Sequence, residues 1–387
     1  MLKVAIIGCG KIADAHAEQL QHVQGCQMVG VCDQEKLMAK QLYERFPIKA
    51  FFSNAEELLE KAQPDVVHIT TPPQSHFQLG QLCLEHGCHI YVEKPFTVNA
   101  TEARELVRLA EERKLKLTVG NDPLFTPAAQ YFRRLVQDGY LGGDPVHLES
   151  YYCYELEDAY ARALLGDRRH WVRTLPGKLL HNIISHGVVR IAEFVRSDRP
   201  KLLAYGSTSP TLRKLGEREI IDELRVILTD DDRLTAYFTF SSQMRPSLHQ
   251  FRIYGPQNAL MLDDDQQCVI KLRGRRYKSY AEKFIPPVGY ARQYLSNLAR
   301  SLALFVRRDF HMKAGLRNLI NEFYDSIAND RAVPISYRDI VLTCQIMDDI
   351  FQQLPSAAPQ ADFESVGCAN HQVGRETASK EELAIQS

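Results

Sequence analysis

Residues 8–13 read Gly8-Cys9-Gly10-Lys11-Ile12-Ala13, directly after the β-branched run KVAII and directly before the helix-forming DAHAEQLQHV. That order predicts an anion-binding turn. Gly8 permits the tight bend, Gly10 lets the backbone approach a pyrophosphate, and Ala13 lets the helix pack closely on the strand. The helix N-terminus at Lys11 and Ile12 then faces the phosphates. Alone, a G-x-G-x-x-A is weak evidence. Here a second strand-like run, QMVGVCD, ends in Asp33, 25 residues beyond Gly8, the distance at which a carboxylate bonds an adenosine ribose. The same carboxylate would repel a 2′-phosphate, and Gln34 rather than Arg follows it. The pair predicts a dinucleotide site that takes NAD in preference to NADP, although Lys36 and Lys40 are long enough to reach round.

Three other places carry reactive side chains. In LLHNIISHGVVRIAEFV, residues 179–195, the polar Asn182, His186, Arg190 and Glu193 recur every three or four residues on an otherwise apolar predicted helix. A histidine there is most often a satisfied core residue, but Asn182 and His186 stand at i and i+4 and can touch one ligand. Lys94 ends the run HIYVEKP between Glu93 and Pro95. Its ammonium could bond a substrate hydroxyl or, partly desolvated, share in proton transfer. From position alone it reads as a surface lysine paired with Glu93. In GDRRHWVRTLPGK, residues 166–178, Arg169 and His170 lie beside the single tryptophan. They could clamp a phosphate or carboxylate, or belong to a loop with solvated charges; the two readings stand level. The nine cysteines are scattered without a C-x-x-C pair, so neither a disulfide framework nor a metal site is expected.

The elements that must position these groups follow from the pattern. DVVHIT (65–70), HIYVEKP (89–95) and LKLTVGND (115–122) are strands alternating with helices near 75–86 and 98–113. Alternation of this kind predicts an α/β Rossmann domain, a doubly wound parallel sheet over residues 1–121. Its strand ends at Thr71, Glu93 and Asn121 would line the carboxyl edge where ligands bind. From residue 122 the order changes to a helix (127–138), a strand (145–154), an irregular stretch and then a series of strands. That predicts an α+β domain over 122–354 with a large, mostly antiparallel open sheet. Residues 355–387 lack periodicity and are expected to be a disordered tail.

The glycine turn, Thr71-Pro72 with His76, Glu93-Lys94-Pro95, the passage VGNDPLFTP (119–127) and His186 together resemble the Gfo/Idh/MocA family, the oxidoreductases related to glucose-fructose oxidoreductase and inositol dehydrogenase. The resemblance covers most of the chain. It implies that Thr71, Pro72, His76, Glu93, Lys94 and Asn121 belong to the cofactor site and that Lys94 contacts both substrate and cofactor. It also implies that His186 takes the proton of the substrate hydroxyl, with Asn182 as third catalytic residue. Two departures stand out: Asn182 replaces the family's usual aspartate four residues before the histidine, and Asp122-Pro123-Leu124-Phe125 lacks the arginine often found before the aromatic. The implied activity is an NAD-dependent oxidation of a ring hydroxyl in a sugar, cyclitol or sugar nucleotide. The alternatives are an NAD cycled internally for epimerisation, elimination or glycoside cleavage, and a non-catalytic dinucleotide sensor.

Composition sets the remaining bounds. At 387 residues the chain exceeds one core, and 47 Lys plus Arg against 48 Asp plus Glu gives no electrostatic case for nucleic acid. The N-terminus enters a strand at once, without the zones of a signal peptide, and no apolar run reaches membrane-spanning length, so a cytoplasmic protein is expected. The family's open sheet face points to a homodimer or homotetramer. GYARQYLSNLARSLALFVRR, residues 289–308, is amphipathic with basic ends. Such a helix could lie on an anionic membrane; the commoner outcome, and the expectation here, is a helix packed on its own protein.

Overall fold

A near-continuous apolar strand is what a sheet buried on both faces demands, and β1 (Leu2–Ile7) supplies it, with Val4, Ala5 and Ile6 fully buried at the sheet centre. The computed structural model describes residues 1–231, 233–274, 276–307 and 313–354, so the expected tail at 355–387 lies outside the described residues. The other strands of this sheet are β2 (Cys26–Cys32), β3 (Phe51–Phe52), β4 (Val66–Ile69), β5 (His89–Val92) and β6 (Leu117–Val119). The order is β3-β2-β1-β4-β5-β6, with every pairing parallel. Helices α1 (Lys11–Leu20), α2 (Lys36–Arg45), α3 (Ala55–Ala62), α4 (His76–Glu85) and α5 (Ala100–Glu112) make the crossovers. The strand order reverses at β1/β4, and the crevice beyond the carboxyl ends of those two strands is where such sheets bind ligands.

Beyond this sheet come α6 (Pro127–Gln137), β7 (His147–Tyr152), α7 (Ala159–Gly166), α8 (Lys178–Ile183), α9 (Ser185–Ala192), β8 (Lys201–Ser207) and α10 (Pro210–Lys214). The strands β9 (Glu223–Asp230), β10 (Leu234–Ser241), β11 (His249–Tyr254), β12 (Asn258–Asp263) and β13 (Cys268–Arg273) follow. Seven strands form a second sheet in the order β13-β12-β11-β7-β10-β9-β8, antiparallel except where β7 runs parallel to β10. One face carries a core of Leu148, Phe238, Phe240, Phe251, Val188 and Ile350 under the helices. The other face leaves Leu203, Tyr205, Ile227 and Tyr237 exposed.

The chain ends with α11 (Ala281–Val306), α12 (Ala314–Ala328) and α13 (Tyr337–Gln353). α12 and α13 return to the first sheet, where Leu319, Ile320, Phe323 and Ile340 join its core. Residues late in the chain therefore complete the environment of the glycine turn's own sheet.

Two expectations change and a third is met only in part. The stretch read as irregular holds α7, capped by Asp158, whose carboxylate accepts from the Ala161 N–H at 2.8 Å. The helix predicted over 179–195 is broken into α8 and α9 at Ile184, where the Gly187 N–H bonds the Ile184 carbonyl in a tightened turn. The cause is packing: a Cβ on Gly187 would stand 2.3 Å from the Phe238 ring, and Ser150 of β7 donates to the Gly187 carbonyl at 2.9 Å. Finally, α11 packs on its own protein as expected but only through its polar face, on β13; none of its residues is buried.

Candidate active site

The ladder of the first sheet carries the candidate residues to one edge. Gly8 N–H bonds the Cys32 carbonyl, Thr70 N–H that of Ile7, Glu93 N–H that of Ile69, and Gly120 N–H that of Val92, all at 2.8–2.9 Å. Gly8 has φ +96°, and a Cβ there would lie 2.7 Å from the Thr71 methyl and 2.8 Å from the Thr70 backbone. Only glycine satisfies both conditions. Gly10 is different: a Cβ there would meet nothing within 4 Å. No side chain caps α1 at Gly10, so the first N–H groups beyond it face open space beside the exposed Lys11 and Ile12. Uncapped donors at a helix start, with nothing before them, fit a pyrophosphate.

Asp33 holds this turn. One carboxylate oxygen accepts from the Cys9 N–H at 2.7 Å and the other from the Glu35 N–H at 2.9 Å. Each oxygen keeps a second acceptor position for a sugar hydroxyl. At the end of β4, Ser75 donates to the Thr71 hydroxyl at 2.7 Å, and Pro72 is exposed. His76 is fully buried, its ring nitrogens against the carbonyls of Thr71 (2.8 Å), Pro95 (3.0 Å) and Phe96 (3.1 Å). The imidazole thus ties the Thr71 loop to the segment after Lys94, which makes it a strut between two cofactor-edge loops.

Glu93 turns inward. Its Oε1 lies 2.9 Å from His16 Nε2, the His16 and His68 Nδ1 atoms are 2.8 Å apart, and His68 Nε2 lies 3.0 Å from the Tyr324 hydroxyl. One proton arrangement satisfies every atom: Tyr324 O–H donates to His68 Nε2, His68 Nδ1–H to His16 Nδ1, and His16 Nε2–H to an ionised Glu93. Burial acts to raise the Glu93 pKa, but the His16 hydrogen bond and the charge of Lys94 outweigh it and leave it lowered. Gly120 belongs to the same device, since a Cβ there would fall 2.5 Å from Glu93 Oε1.

Lys94 points the other way, its Nζ donating to the Asn182 carbonyl at 3.0 Å and so joining β5 to α8. Burial lowers its pKa while Glu93 and Asp122 raise it, and the net direction is down. His186 is nearly buried, with Nδ1 unpartnered and its ring 5.1 Å from that of Tyr152. Burial first, then the charges of Lys94, Arg190 and His249, hold its pKa well below the usual range, so the imidazole is neutral. Asn182 places its amide on the Tyr160 hydroxyl at 2.7 Å. The rest of the polar stripe is structural: Arg190 pairs with Asp264 at 2.8 Å and Glu193 with Arg133 at 2.9 Å.

Sequence reading named Asp122 only as a departure, yet it is the acid of this cleft. Burial, and then the neighbouring charge of Glu93, push its carboxyl up to about 7 against the pull of Lys94. Its signal was an acidic residue just past the carboxyl end of β6. The adjoining Asn121 is buried with its Oδ1 unpartnered, as is the Ser185 hydroxyl beside His186. Unsatisfied buried polar atoms at one cleft are what a ligand would complete. Arg169 is exposed, and His170 faces the Tyr160 ring at 5.9 Å on a loop held to the first sheet by Gln74, whose amide donates to the Trp171 carbonyl at 2.9 Å. Among the described residues no cluster of His, Cys, Asp or Glu could hold a metal ion.

Comparison with known proteins bears on the first domain and on the fold. Residues 2–121 match the Gfo/Idh/MocA oxidoreductase family, described by its NAD-binding Rossmann fold. A UDP-N-acetylglucosamine 3-dehydrogenase from Acidithiobacillus ferrooxidans is 34% identical over 149 residues, 38% of this chain and 44% of that one. A crystal form of the dehydrogenase of that name from the same organism superposes with a TM-score of 0.69 over 91% of this chain and 97% of its own, at 20% identity, and so shares the fold. A glycosyl hydrolase family 109 protein from Phocaeicola vulgatus is 23% identical over 309 residues, 75% of this chain and 56% of the other. The sequence matches thus span less than two thirds of either relative.

Proposed function

We infer that this chain, whose residues 2–121 belong to the Gfo/Idh/MocA oxidoreductase family, is an NAD-dependent enzyme that oxidises a ring hydroxyl of a sugar, cyclitol or sugar nucleotide. The observation that carries the reading is the bond from Lys94, at the edge beside the glycine turn, to the carbonyl of Asn182, four residues before His186, whose imidazole is neutral with Nδ1 unpartnered. Nicotinamide, when bound, supplies the acceptor for the hydride. His186 takes the hydroxyl proton, which a neutral imidazole can do and an imidazolium cannot. Lys94, fixed by the Asn182 carbonyl, donates to the same oxygen and stabilises the alkoxide as it forms. Asn182, Arg169 and His170 are assigned to substrate orientation, and Asp122 supplies the negative charge that Asn182 cannot.

Gly8, Gly10, Lys11 and Ile12 are assigned to the pyrophosphate, and Asp33 to the adenosine ribose, which favours NAD over NADP. Thr71, Pro72 and Asn121 are assigned to the nicotinamide end, with His76 holding two of their loops and the inward-turned Glu93 bracing the same edge. The exposed face of the second sheet supports a homo-oligomer, and eight free thiols among the described residues are compatible with a reducing cytoplasm.

The test is native mass spectrometry followed by absorbance at the reduced-nicotinamide band while sugars and sugar nucleotides are added. Reduction by one compound, lost in Lys94→Ala and His186→Ala, is expected; a protein that binds no dinucleotide would overturn the reading. The glycosyl hydrolase relative supports a second reading, NAD retained and recycled within one turnover. Product formed without added cofactor, with NAD surviving gel filtration, would favour it.

A further inference from the structure

The helix α11 is 26 residues long and none of them is buried. Among the described residues it is anchored through polar and cationic side chains. Asn297 and Gln293, at i and i+4, place their amides on the free edge of β13: Asn297 accepts from Val269 N–H (3.2 Å) and donates to its carbonyl (3.0 Å), and Gln293 does the same at Lys271 (2.7 and 3.1 Å). The helix thereby seals a sheet edge with its hydrophilic face. A second face carries Phe284, Val288, Leu295, Leu298, Leu302 and Phe305, spaced for a single stripe and each 54–68% exposed, with Phe284 and Val288 also lining the groove between the helix and β13. Six large apolar side chains in one unbroken stripe exceed the scattered exposure normal for a protein surface.

Charge identifies the occupant. Between residues 271 and 307 the chain has nine Lys or Arg and one acid, Glu282, whose carboxylate is taken by the Tyr277 N–H. α11 itself carries Lys283, Arg292 and Arg300 against Glu282, so two copies packed stripe to stripe would bring an excess of cations together, which disfavours self-association. No helix among the described residues is long and apolar enough to cross a membrane. An apolar stripe flanked by cations, on a helix that does not span, matches an anionic lipid surface. Between α11 and β13 lies a groove of about 790 Å³ lined by four cations, Lys271, Arg273, Arg292 and Arg300, against one acid, Glu282, and reaching the stripe at Phe284 and Val288. Arg300 sits 4.1 Å over the Tyr131 ring. Such a groove is suited to phosphate-bearing headgroups beside the buried stripe.

We propose that α11 seats the protein in the plane of an anionic membrane, its apolar stripe among the acyl chains and the basic groove on the headgroups. The full chain is floated with phosphatidylcholine vesicles with and without about one third phosphatidylglycerol. Binding to the anionic vesicles alone is expected, weakened at least about tenfold by roughly 0.5 M salt and by at least about tenfold in Leu298→Glu/Leu302→Glu. Both positions are exposed, and an unchanged circular-dichroism melt verifies the variant's fold. No binding to anionic vesicles, equal binding to phosphatidylcholine, or an unaffected variant would overturn the proposal. So would light scattering that shows a dimer which the double variant dissociates, since a second copy would then be the occupant. Dinucleotide binding by the same variant is read separately, so the outcome is independent of the catalytic assignment.

Discussion

Replacing His16 with Phe breaks the Tyr324–His68–His16–Glu93 chain at its centre while keeping a ring against Tyr91, 5.0 Å away. Two buried groups then lose partners, the Glu93 carboxylate and His68 Nδ1. Loss of a hydrogen bond to a charged group removes about 1.5–3 kcal/mol, and an orphaned buried donor costs about 1–3 kcal/mol. Their sum is about 4 kcal/mol at neutral pH. The pH dependence follows from sign. In the wild type the folded pKa of Glu93 is below its ordinary 4.5, so its stabilisation is complete above 4.5 and is lost as pH falls through the lowered value. Without His16, burial becomes the ruling influence and the pKa rises above 4.5, so acidification protonates Glu93 and relieves the variant. The difference between the two proteins should therefore shrink from about 4 kcal/mol at pH 7 to about 2 near pH 4. Urea unfolding followed by circular dichroism across this range measures it. A difference under about 1 kcal/mol at pH 7, or one that grows on acidification, would refute the proton arrangement assigned to the chain.

The glycine turn yields a paired test. Gly8→Ala should destabilise the protein and abolish dinucleotide binding, because its Cβ meets backbone at φ +96°. Gly10→Ala should melt like the wild type yet bind NAD more weakly, by about tenfold or more, as isothermal titration would show; unchanged affinity would remove the pyrophosphate from that site. Asp33→Ala should weaken NAD and narrow its advantage over NADP, and some general loss is expected too because Asp33 also holds Cys9 N–H. Equal dissociation constants for the two cofactors in the wild type would discard the ribose assignment. Lys94→Ala and His186→Ala should each reduce kcat by about 100-fold or more while NAD still binds; retained turnover would move the chemistry elsewhere.

What the sequence made legible were features with local causes. The glycine turn, Asp33 and the strand ends at Thr71, Glu93 and Asn121 follow from periodicity and from the one topology that parallel strands with helical crossovers allow. Positions decided by distant packing were not legible. Ile184 breaks a helix because Phe238, more than fifty residues later, presses on Gly187. His16 and His68 are unremarkable on their own elements, and their pairing appears only when α12 delivers Tyr324. α11 does pack on its own protein, at the β13 edge, but through its polar face, because amphipathicity fixes which face is apolar and not what that face will meet.

Asp122 illustrates the same principle at the centre of the cleft. In the family that the sequence resembles, a carboxylate stands on the helix four residues before the histidine; here that place holds an amide bound to Tyr160, and a carboxyl arrives from the end of β6. With a pKa near 7, raised first by burial and then by Glu93, it is part ionised at neutral pH. Because the folded value stands above the ordinary 3.8, ionised Asp122 opposes folding, and its cost grows as pH rises from about 4 towards 7. Asp122→Asn should therefore stabilise the protein more at pH 8 than at pH 5. If its charge supports proton uptake by His186, the same variant should lose kcat and lose the limb of the pH–rate profile centred near 7. Greater stability with undiminished kcat would leave Asp122 a strained bystander, whereas stability gained and activity lost together is the exchange expected of a group held ionisable for catalysis.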